Sequence, residues 1–198
     1  MKSTVRQIAF VAACAVATAA TAAPATYKVD PEHTHPSFEA DHFGGMSVWR
    51  GRFNESTGTV VIDREAKTGT VDIVIDTNSI DFGLEKLETH VKSGDAGMLD
   101  TAKFPTATYK GKLVKFKDGA PTEVAGELTL HGVTKPVVLD VTVNRIGRHP
   151  MAGRDAAGFD ASATIKRSDF GISNYVPNVS DEIRLSISTE AMVPAAGQ

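Results

Sequence analysis

The strongest restriction on the fold of this chain is an alternation of apolar and polar residues that recurs from Tyr27 almost to the C-terminus. Alternation with a period of two is typical of β-strands that have one face in the core and the other in water. Gly, Pro, Asp and Asn bound the runs, which number about eight to ten by this criterion. The apolar rows contain Phe38, Ala40 and His42; Trp49, Gly51 and Phe53; Val60 and Ile62; Val71, Ile73 and Ile75; Ala107, Tyr109, Gly111 and Leu113; Val124, Gly126, Leu128 and Leu130; Val137, Leu139, Val141 and Val143; Phe159, Ala161, Ala163 and Ile165; and Ile183, Leu185 and Ile187. We therefore predict an all-β fold.

An antiparallel sheet that is dry on one face must stack on a second sheet or close on itself. The alternation is compatible with both a sandwich and a barrel. One segment has helical spacing instead, because Leu84, Leu87 and Val91 share a face and charged residues occupy the other. The sequence predicts one short helix over residues 84–93, which lies over the sheet or caps an opening.

Several apolar rows carry their smallest residue at the centre, as at Gly51, Gly111 and Gly126. Glycine inside a strand marks a bend, a bulge or the close approach of a ligand or another backbone. An eight-stranded barrel is also the size at which the interior either fills with side chains or holds one small ligand. Two interpretations are equally supported by these residues. Either Gly111 and Gly126 face the void of a ligand tunnel, or the glycines let the strands coil sharply round the barrel while large side chains reach in from elsewhere.

The first 23 residues have the order of a secretory signal sequence. A basic start is followed by an apolar run over residues 8–16 and by small residues before Pro24. We predict a signal peptide over residues 1–23, one barrel domain over residues 24–198 and a periplasmic location.

The single cysteine, Cys14, lies inside this segment and offers a second interpretation. Residues 11–14 resemble a lipoprotein cleavage box, which would leave an acylated Cys14 and tether the domain to a membrane. The apolar run before Cys14 is shorter than the roughly 7 to 15 residues of a normal signal core, which favours simple cleavage. No later apolar stretch reaches the about 20 residues of a membrane helix, so we expect no stable membrane span.

The charge balance argues against a nucleic-acid partner. The chain has 21 Lys and Arg against 24 Asp and Glu, a net charge of −3, and loss of the basic signal sequence makes the balance more negative. Binding to a phosphate backbone requires the opposite sign and a basic patch. We therefore predict no nucleic-acid partner.

The six histidines raise the question of metal or catalytic chemistry. His33, His35 and His42 are the nearest approach to a cluster, but they lack cysteine or carboxylate partners at ligand spacing, so we predict no metal site. The chain has no Gly-x-Ser-x-Gly elbow and no phosphate-binding loop. A Ser-His-Asp trio of the hydrolase type can be chosen from the sequence, but any β protein rich in these residue types contains such a combination. Its members are His131, Ser168 and Asp169. We predict a protein that is not an enzyme and uses no cofactor.

Several motifs spread over the chain resemble one family. They are Tyr27-Lys28-Val29-Asp30 with Pro31-Glu32-His33-Thr34, Phe38-x-x-x-His42, Gly51-Arg52-Phe53, Ser79-Ile80-Asp81, Phe104-Pro105, and the blocks over residues 126–137, 165–172 and 179–183. The most specific are Leu-Thr-Leu-His-Gly-Val-Thr at 128–134 and Arg-Ser-Asp-Phe-Gly-Ile at 167–172. Together these motifs resemble the YceI-like family of exported polyisoprenoid-binding proteins.

The resemblance implies an extended lipocalin-like eight-stranded antiparallel barrel with one short helix. It also implies an apolar tunnel that holds a long-chain amphiphile, such as a polyisoprenoid, a quinone tail or a fatty-acid derivative, and so favours the tunnel over the merely coiled barrel. One departure concerns residues 87–91, where the family often has Arg-Asp-x-His-Leu. This chain keeps His90 and lacks the basic residue, so the resemblance carries over the tunnel but no head-group contact.

These observations predict a periplasmic binding or carrier protein for a long-chain amphiphilic lipid. The predicted ligand-binding residues are Phe38, Phe53, Ile73, Ile75, Tyr109, Leu128 and Val141 as tunnel lining, Gly111 and Gly126 facing the void, and His42 and Trp49 as polar anchors. Two other functions stay open: a lipid-directed hydrolase that uses the barrel histidines, and a structural barrel without a ligand. A homodimer that pairs across a strand edge is a further open prediction.

Overall fold

The computed structural model describes residues 23–195. The predicted signal peptide, with Cys14, lies outside this range except for its last residue. The described chain contains eleven strands and one α-helix. They are β1 (Ala25–Val29), β2 (Ser37–His42), β3 (Ser47–Phe53), β4 (Ser56–Asp63), β5 (Thr68–Asp76), β6 (Ile80–Asp81), α1 (Glu85–Lys92), β7 (Thr106–Lys117), β8 (Ala120–Leu130), β9 (Val133–Arg148), β10 (Asp155–Lys166) and β11 (Val179–Met192).

Eight of the strands close into an antiparallel barrel. Their order around the ring is β1-β4-β5-β7-β8-β9-β10-β11, and β1 pairs with β11 to complete it. The closing contact places Lys28 opposite Met192 and Val29 opposite Ala191. The predicted eight-stranded barrel is therefore confirmed, and the sandwich that the alternation also allowed is not formed.

The remaining strands extend the wall at one end of the ring. The last residues of β11 pair with β1, whereas its earlier part, from Val179 to Ser186, pairs with β2. β3 follows β2 in a hairpin, and β6 pairs with β3 at Arg52 and Phe53. We call β2, β3 and β6 the collar, the end of the barrel that they extend the collar end, and the opposite end the far end.

The alternating rows face inward, as the sequence predicts. Tyr27, Ile62, Val124 and Phe159 belong to one buried core cluster that runs around the ring. Their charged neighbours lie on the outer face, because successive side chains of a strand point to opposite sides. The burial of the rows provides the main favourable term for closing the barrel, since the hydrophobic effect scales with the apolar area removed from water.

Gly111 and Gly126 lie directly opposite each other on β7 and β8, and the ring of Tyr109 fills the space beside them. A Cβ atom on Gly126 would lie 2.5 Å from the carbonyl oxygen of Lys110 and 2.8 Å from Tyr109 Cζ. A Cβ atom on Gly111 would lie 2.6 Å from Val124 Cγ1. The prediction that these two glycines face an open void is therefore wrong. They are small because an aromatic ring and a neighbouring backbone approach them closely.

The predicted helix is confirmed as α1, with Leu84 and Ser93 as its capping residues. The carboxylate of Glu88 accepts hydrogen bonds from the backbone N–H groups of Phe82 and Leu84, which fixes the first turn. Leu84 has an extended backbone and an exposed side chain, so it does not share the inward face of Leu87. Within residues 23–195, no helix has the length and apolar character needed to cross a bilayer.

Candidate functional site

The barrel contains two adjoining apolar cavities. The inner chamber, about 190 Å³, lies inside the ring between Ile73, Tyr109, Leu128, Val141 and Phe159. The collar chamber, about 420 Å³, lies beneath the collar and α1. Its lining includes His42, Trp49, Leu87, His90 and Tyr175. The residues that line both chambers are Phe38, Phe53, Leu130, Ile165 and Leu185. The chambers therefore adjoin at these five side chains and follow one another along the barrel.

The inner chamber has no charged side chain in its lining. Its few polar members lie on one side, and the hydroxyls of Thr34 and Thr189 are 2.6 Å apart and hydrogen-bonded to each other. Such a chamber offers neither a proton donor of suitable pKa nor a metal ligand. It is suited to an apolar chain, which gains about 0.8 kcal/mol for each methylene group removed from water.

The hydroxyl of Tyr109 is directed into the barrel wall. It lies 3.1 Å from the carbonyl oxygen of Val124 and 3.0 Å from that of Val137, so its single proton is shared between two strands. Burial raises the pKa of this phenol to about 12, and the group is neutral at physiological pH. Because the hydroxyl is occupied in the wall, the ring presents an apolar surface to the chamber.

The structure brings most of the predicted ligand-binding residues together. Seven of them line the inner chamber, namely Phe38, Phe53, Ile73, Ile75, Tyr109, Leu128 and Val141. His42 and Trp49 line the collar chamber. Gly111 and Gly126 line neither, because the ring of Tyr109 and neighbouring strand atoms occupy the space beside them. Contact between any of these side chains and a ligand stays a prediction.

Polar side chains are concentrated in the collar chamber. His42 packs edge-on against Trp49, with ring centroids 5.7 Å apart. His90 of α1 has its Nε2 atom 3.0 Å from the hydroxyl of Tyr175. Asn174, Asn178 and Arg167 also line this chamber. Apolar atoms nevertheless form almost all of the surface of this chamber. Both chambers are therefore apolar, and the collar chamber differs by the polar side chains in its wall.

Arg167 organises the loop between β10 and β11. Its guanidinium group lies in the wall of the collar chamber and donates four hydrogen bonds of 2.8 to 3.2 Å to backbone carbonyl oxygens. The acceptors are Ile172, Asn174, Val179 and Ser180. Burial lowers the pKa of this guanidinium, and the nearby Asp181 carboxylate opposes the shift. The clamp fixes the loop segment that presents Tyr175.

Sequence reasoning did not assign the contribution of this loop to the chamber. Tyr175 and Asn178 lie in a segment without alternation or helical spacing, so no periodic signal marks them. Arg167 begins the Arg-Ser-Asp-Phe-Gly-Ile motif, which pointed to the family but not to a role for the residue.

The structure does not bring together the hydrolytic trio of His131, Ser168 and Asp169. The hydroxyl of Ser168 donates to Asp181 at 2.8 Å, and Nδ1 of His131 is 2.9 Å from the carbonyl oxygen of Phe170. No hydrogen bond joins Ser168, Asp169 and His131 to one another in the described structure. His33 is paired with Asp30 at 3.0 Å. Between residues 23 and 195, no group of three His, Cys, Asp or Glu side chains is placed to hold a metal ion.

Comparison with known proteins covers nearly the whole described chain. The family model of the YceI-like domain matches residues 27–191. A UPF0312 protein of Pseudomonas paraeruginosa is 37% identical over 181 residues, which are 90% of this chain and 92% of the relative. The protein YceI of Salmonella arizonae is 35% identical over 188 residues, 93% of this chain and 96% of the relative.

Solved structures show the same fold. BcnA of Burkholderia cenocepacia superposes with a TM-score of 0.68 at 24% identity and covers 82% of this chain and 99% of its own. The YCEI protein of Campylobacter jejuni has a TM-score of 0.65 at 25% identity, with coverage of 76% and 88%. A polyisoprenoid binding domain from Saccharophagus degradans has a TM-score of 0.63 at 17% identity, with coverage of 85% and 98%.

Proposed function

This chain belongs to the YceI-like family, and from that premise we propose that it is a periplasmic binding or carrier protein for a long-chain amphiphile. Suitable chains are a polyisoprenoid, a quinone tail or a fatty-acid derivative. The description of one structural neighbour as a polyisoprenoid binding domain supports a lipid of this class. No reaction is proposed.

The observation that carries the proposal is a pair of adjoining apolar chambers, of which only the collar chamber has histidines and asparagines in its wall. The inner chamber has no charged residue in its lining, whereas the lining of the collar chamber includes histidines, asparagines, a tryptophan and Arg167. An amphiphile has the same division between chain and head group. We propose that the chain lies in the inner chamber and that the head group lies among His42, Trp49 and His90.

The protein has a built-in reporter for this test. Trp49 is the only tryptophan of the chain and lines the collar chamber. The protein is purified from the periplasm without detergent and measured by native mass spectrometry, and the extracted protein is titrated with farnesol while Trp49 fluorescence is followed. We expect an added lipid mass in the first measurement and a saturable spectral change in the second. The proposal would be overturned, in favour of a ligand-free structural barrel, if the purified protein carried no lipid and farnesol did not change the fluorescence of Trp49.

The predicted homodimer stays a prediction. Pairing across a strand edge could use the outer edge of β3, because β6 pairs only with Arg52 and Phe53 of that strand.

A further inference from the structure

Exposed apolar side chains are gathered around the opening of the collar chamber. The β2–β3 hairpin exposes Phe43 and Met46, the latter to 81%. The loop before β11 exposes Tyr175 and Val176. We call residues 43–46 and 175–178 the apolar tips. Phe43 and Tyr175 line the chamber and are also more than half exposed, so they stand at its mouth.

The two tips form one surface. The backbone N–H of Phe43 donates to the carbonyl oxygen of Asn178 at 2.6 Å, and His42 pairs with Val179 immediately below. Their sequences, Phe-Gly-Gly-Met and Tyr-Val-Pro-Asn, contain no charged residue.

Both mouth aromatics are held in an unfavourable backbone conformation. Phe43 has φ of 53° and Tyr175 has φ of 62°, in the left-handed region that bulky residues rarely adopt. Residues held in such conformations tend to lie at functional sites, where the surrounding structure imposes the strain. Here the conformation turns two large rings outward at the mouth of an apolar chamber.

Two of the turns at the far end of the barrel are charged, unlike the apolar tips. Arg64, Glu65 and Lys67 lie between β4 and β5, and Asp118 lies between β7 and β8. The β9–β10 turn at the same end exposes Met151 and also contains Arg154. A general lack of charge on the loops therefore does not explain the apolar tips.

We propose that the apolar tips dock onto the surface of a lipid bilayer, with the mouth of the collar chamber against the membrane. The inference rests on the proposed function, since it supplies the route by which a long-chain lipid passes between bilayer and chamber. A bilayer fits because it covers an uncharged apolar surface without requiring a complementary shape. Aromatic side chains with a polar tip, such as Tyr175, are favoured at the membrane interface, and shallow burial of apolar groups gives reversible binding. The apolar surface is also continuous with the chamber that the lipid would enter.

The test uses a matched pair of substitutions at the two ends. Met46 lines neither chamber, so Met46→Gln removes an apolar tip without altering the ligand path. Met151, 92% exposed in the β9–β10 loop at the far end, gives the control Met151→Gln. A third variant, Phe43→Asn, removes the aromatic ring and introduces a residue type that tolerates the left-handed backbone. Binding to vesicles of phosphatidylcholine is measured by flotation.

We expect the unaltered protein and Met151→Gln to float with the vesicles, and both tip variants to lose affinity by about tenfold or more, since burial of one such side chain is worth at least that factor. Equal behaviour of Met46→Gln and Met151→Gln, or no flotation of the unaltered protein, overturns the inference. So does a dimer on size-exclusion chromatography that Met46→Gln dissolves while flotation is unchanged, because the tips then bind a second copy.

Native mass spectrometry of the same samples separates this inference from the proposed function. A protein that carries a long-chain lipid but does not float refutes the docking surface alone. A protein that floats but neither carries a lipid nor changes its Trp49 fluorescence with farnesol supports the docking surface and refutes the carrier function.

Discussion

The phenol of Tyr109 ties β7 to two other positions in the barrel wall, because its hydroxyl reaches carbonyl oxygens on β8 and β9. The substitution Tyr109→Phe keeps the ring and removes only this link. Leaving buried acceptors without a partner costs about 1–3 kcal/mol, so we expect the free energy of unfolding in urea to fall by that amount. Because the ring remains, lipid retention should be unchanged. A variant as stable as the unaltered protein would show that the link contributes nothing.

The same residue predicts a loss of stability in alkali. Burial raises the pKa of Tyr109 from 10.0, the ordinary value of a tyrosine phenol, to about 12, so above pH 10 the unfolded chain binds fewer protons than the native one. The slope of stability with pH is then negative. We expect the stability that Tyr109 contributes to be fully present below pH 10 and to be lost as pH rises towards about 12. The stability difference between the unaltered protein and Tyr109→Phe, measured across this range, isolates the contribution from that of other tyrosines.

Glycine substitutions distinguish close packing from open space. A Cβ atom on Gly126 meets two backbone atoms that cannot move aside, so Gly126→Ala should lower the free energy of unfolding by about 1–3 kcal/mol, as overpacking does.

Gly147 of β9 provides the matched control, since a Cβ atom there has no neighbour within 4 Å. Gly147→Ala should be neutral or stabilise by up to about 1 kcal/mol by restricting the unfolded chain. Thermal melts of both variants without lipid make the comparison. Equal effects at the two positions would contradict the packing of Tyr109 against Gly126.

The alternation predicted which side chains point inward, because that direction depends only on the local period of a strand. It did not predict what fills the space beside a glycine. The neighbours of Gly111 and Gly126 are set by the register between β7 and β8, and register depends on turns and bulges. β7 itself shifts register against β8 after Leu113. The alternation alone could therefore not show whether the space beside these glycines is empty or filled.

Among the elements, the loop that enters β11 depends on one side chain. Arg167 donates to four carbonyl oxygens, and a lysine cannot reproduce this planar fork. We expect Arg167→Lys to increase amide hydrogen exchange throughout residues 172–180 and to weaken lipid retention, since this loop walls the collar chamber. A hydrogen bond to a charged group contributes about 1.5–3 kcal/mol. We therefore expect the free energy of unfolding to fall by at least the contribution of one such bond. Unchanged exchange in this loop would mean that the clamp is redundant.

The elements differ in how far their sequences predict them. α1 was predicted because Leu87 and Val91 recur at helical spacing. β6 has only two residues, too few to show a period, so the collar could not be recognised as a separate part of the wall. The loop that carries Tyr175 has no repeat at all. The inner chamber was therefore largely predicted from the sequence, whereas the collar chamber was predicted only at His42, Trp49 and the two residues that it shares with the inner chamber, Phe38 and Phe53.

For the barrel as a whole, the length of a lipid chain that fits depends on whether the chain extends from one chamber into the other. Leu185 lines both of them, so Leu185→Trp should obstruct their junction. We expect the retained lipid to become shorter or to disappear, because every methylene excluded from the path forfeits about 0.8 kcal/mol.

The neighbouring residue gives the control. Ser186 is exposed and points to the opposite face of β11, so Ser186→Trp should leave the lipid unchanged. Mass spectrometry of the extracted lipid gives the chain length for each variant. Identical lipids in both variants would show that the chain does not pass Leu185.

The double pairing of β11 also fixes when, during synthesis of the chain, the two chambers can become enclosed. β11 is made last of all the strands, yet it borders β10, β2 and β1. Until it arrives the ring has no closing contact and the collar has no attachment, so both chambers lack a wall. A nascent or prematurely terminated chain therefore has unpaired strand edges, which favour aggregation, and no enclosed path for a lipid. The enclosed interior, and with it the proposed lipid binding, therefore depends on the synthesis of β11.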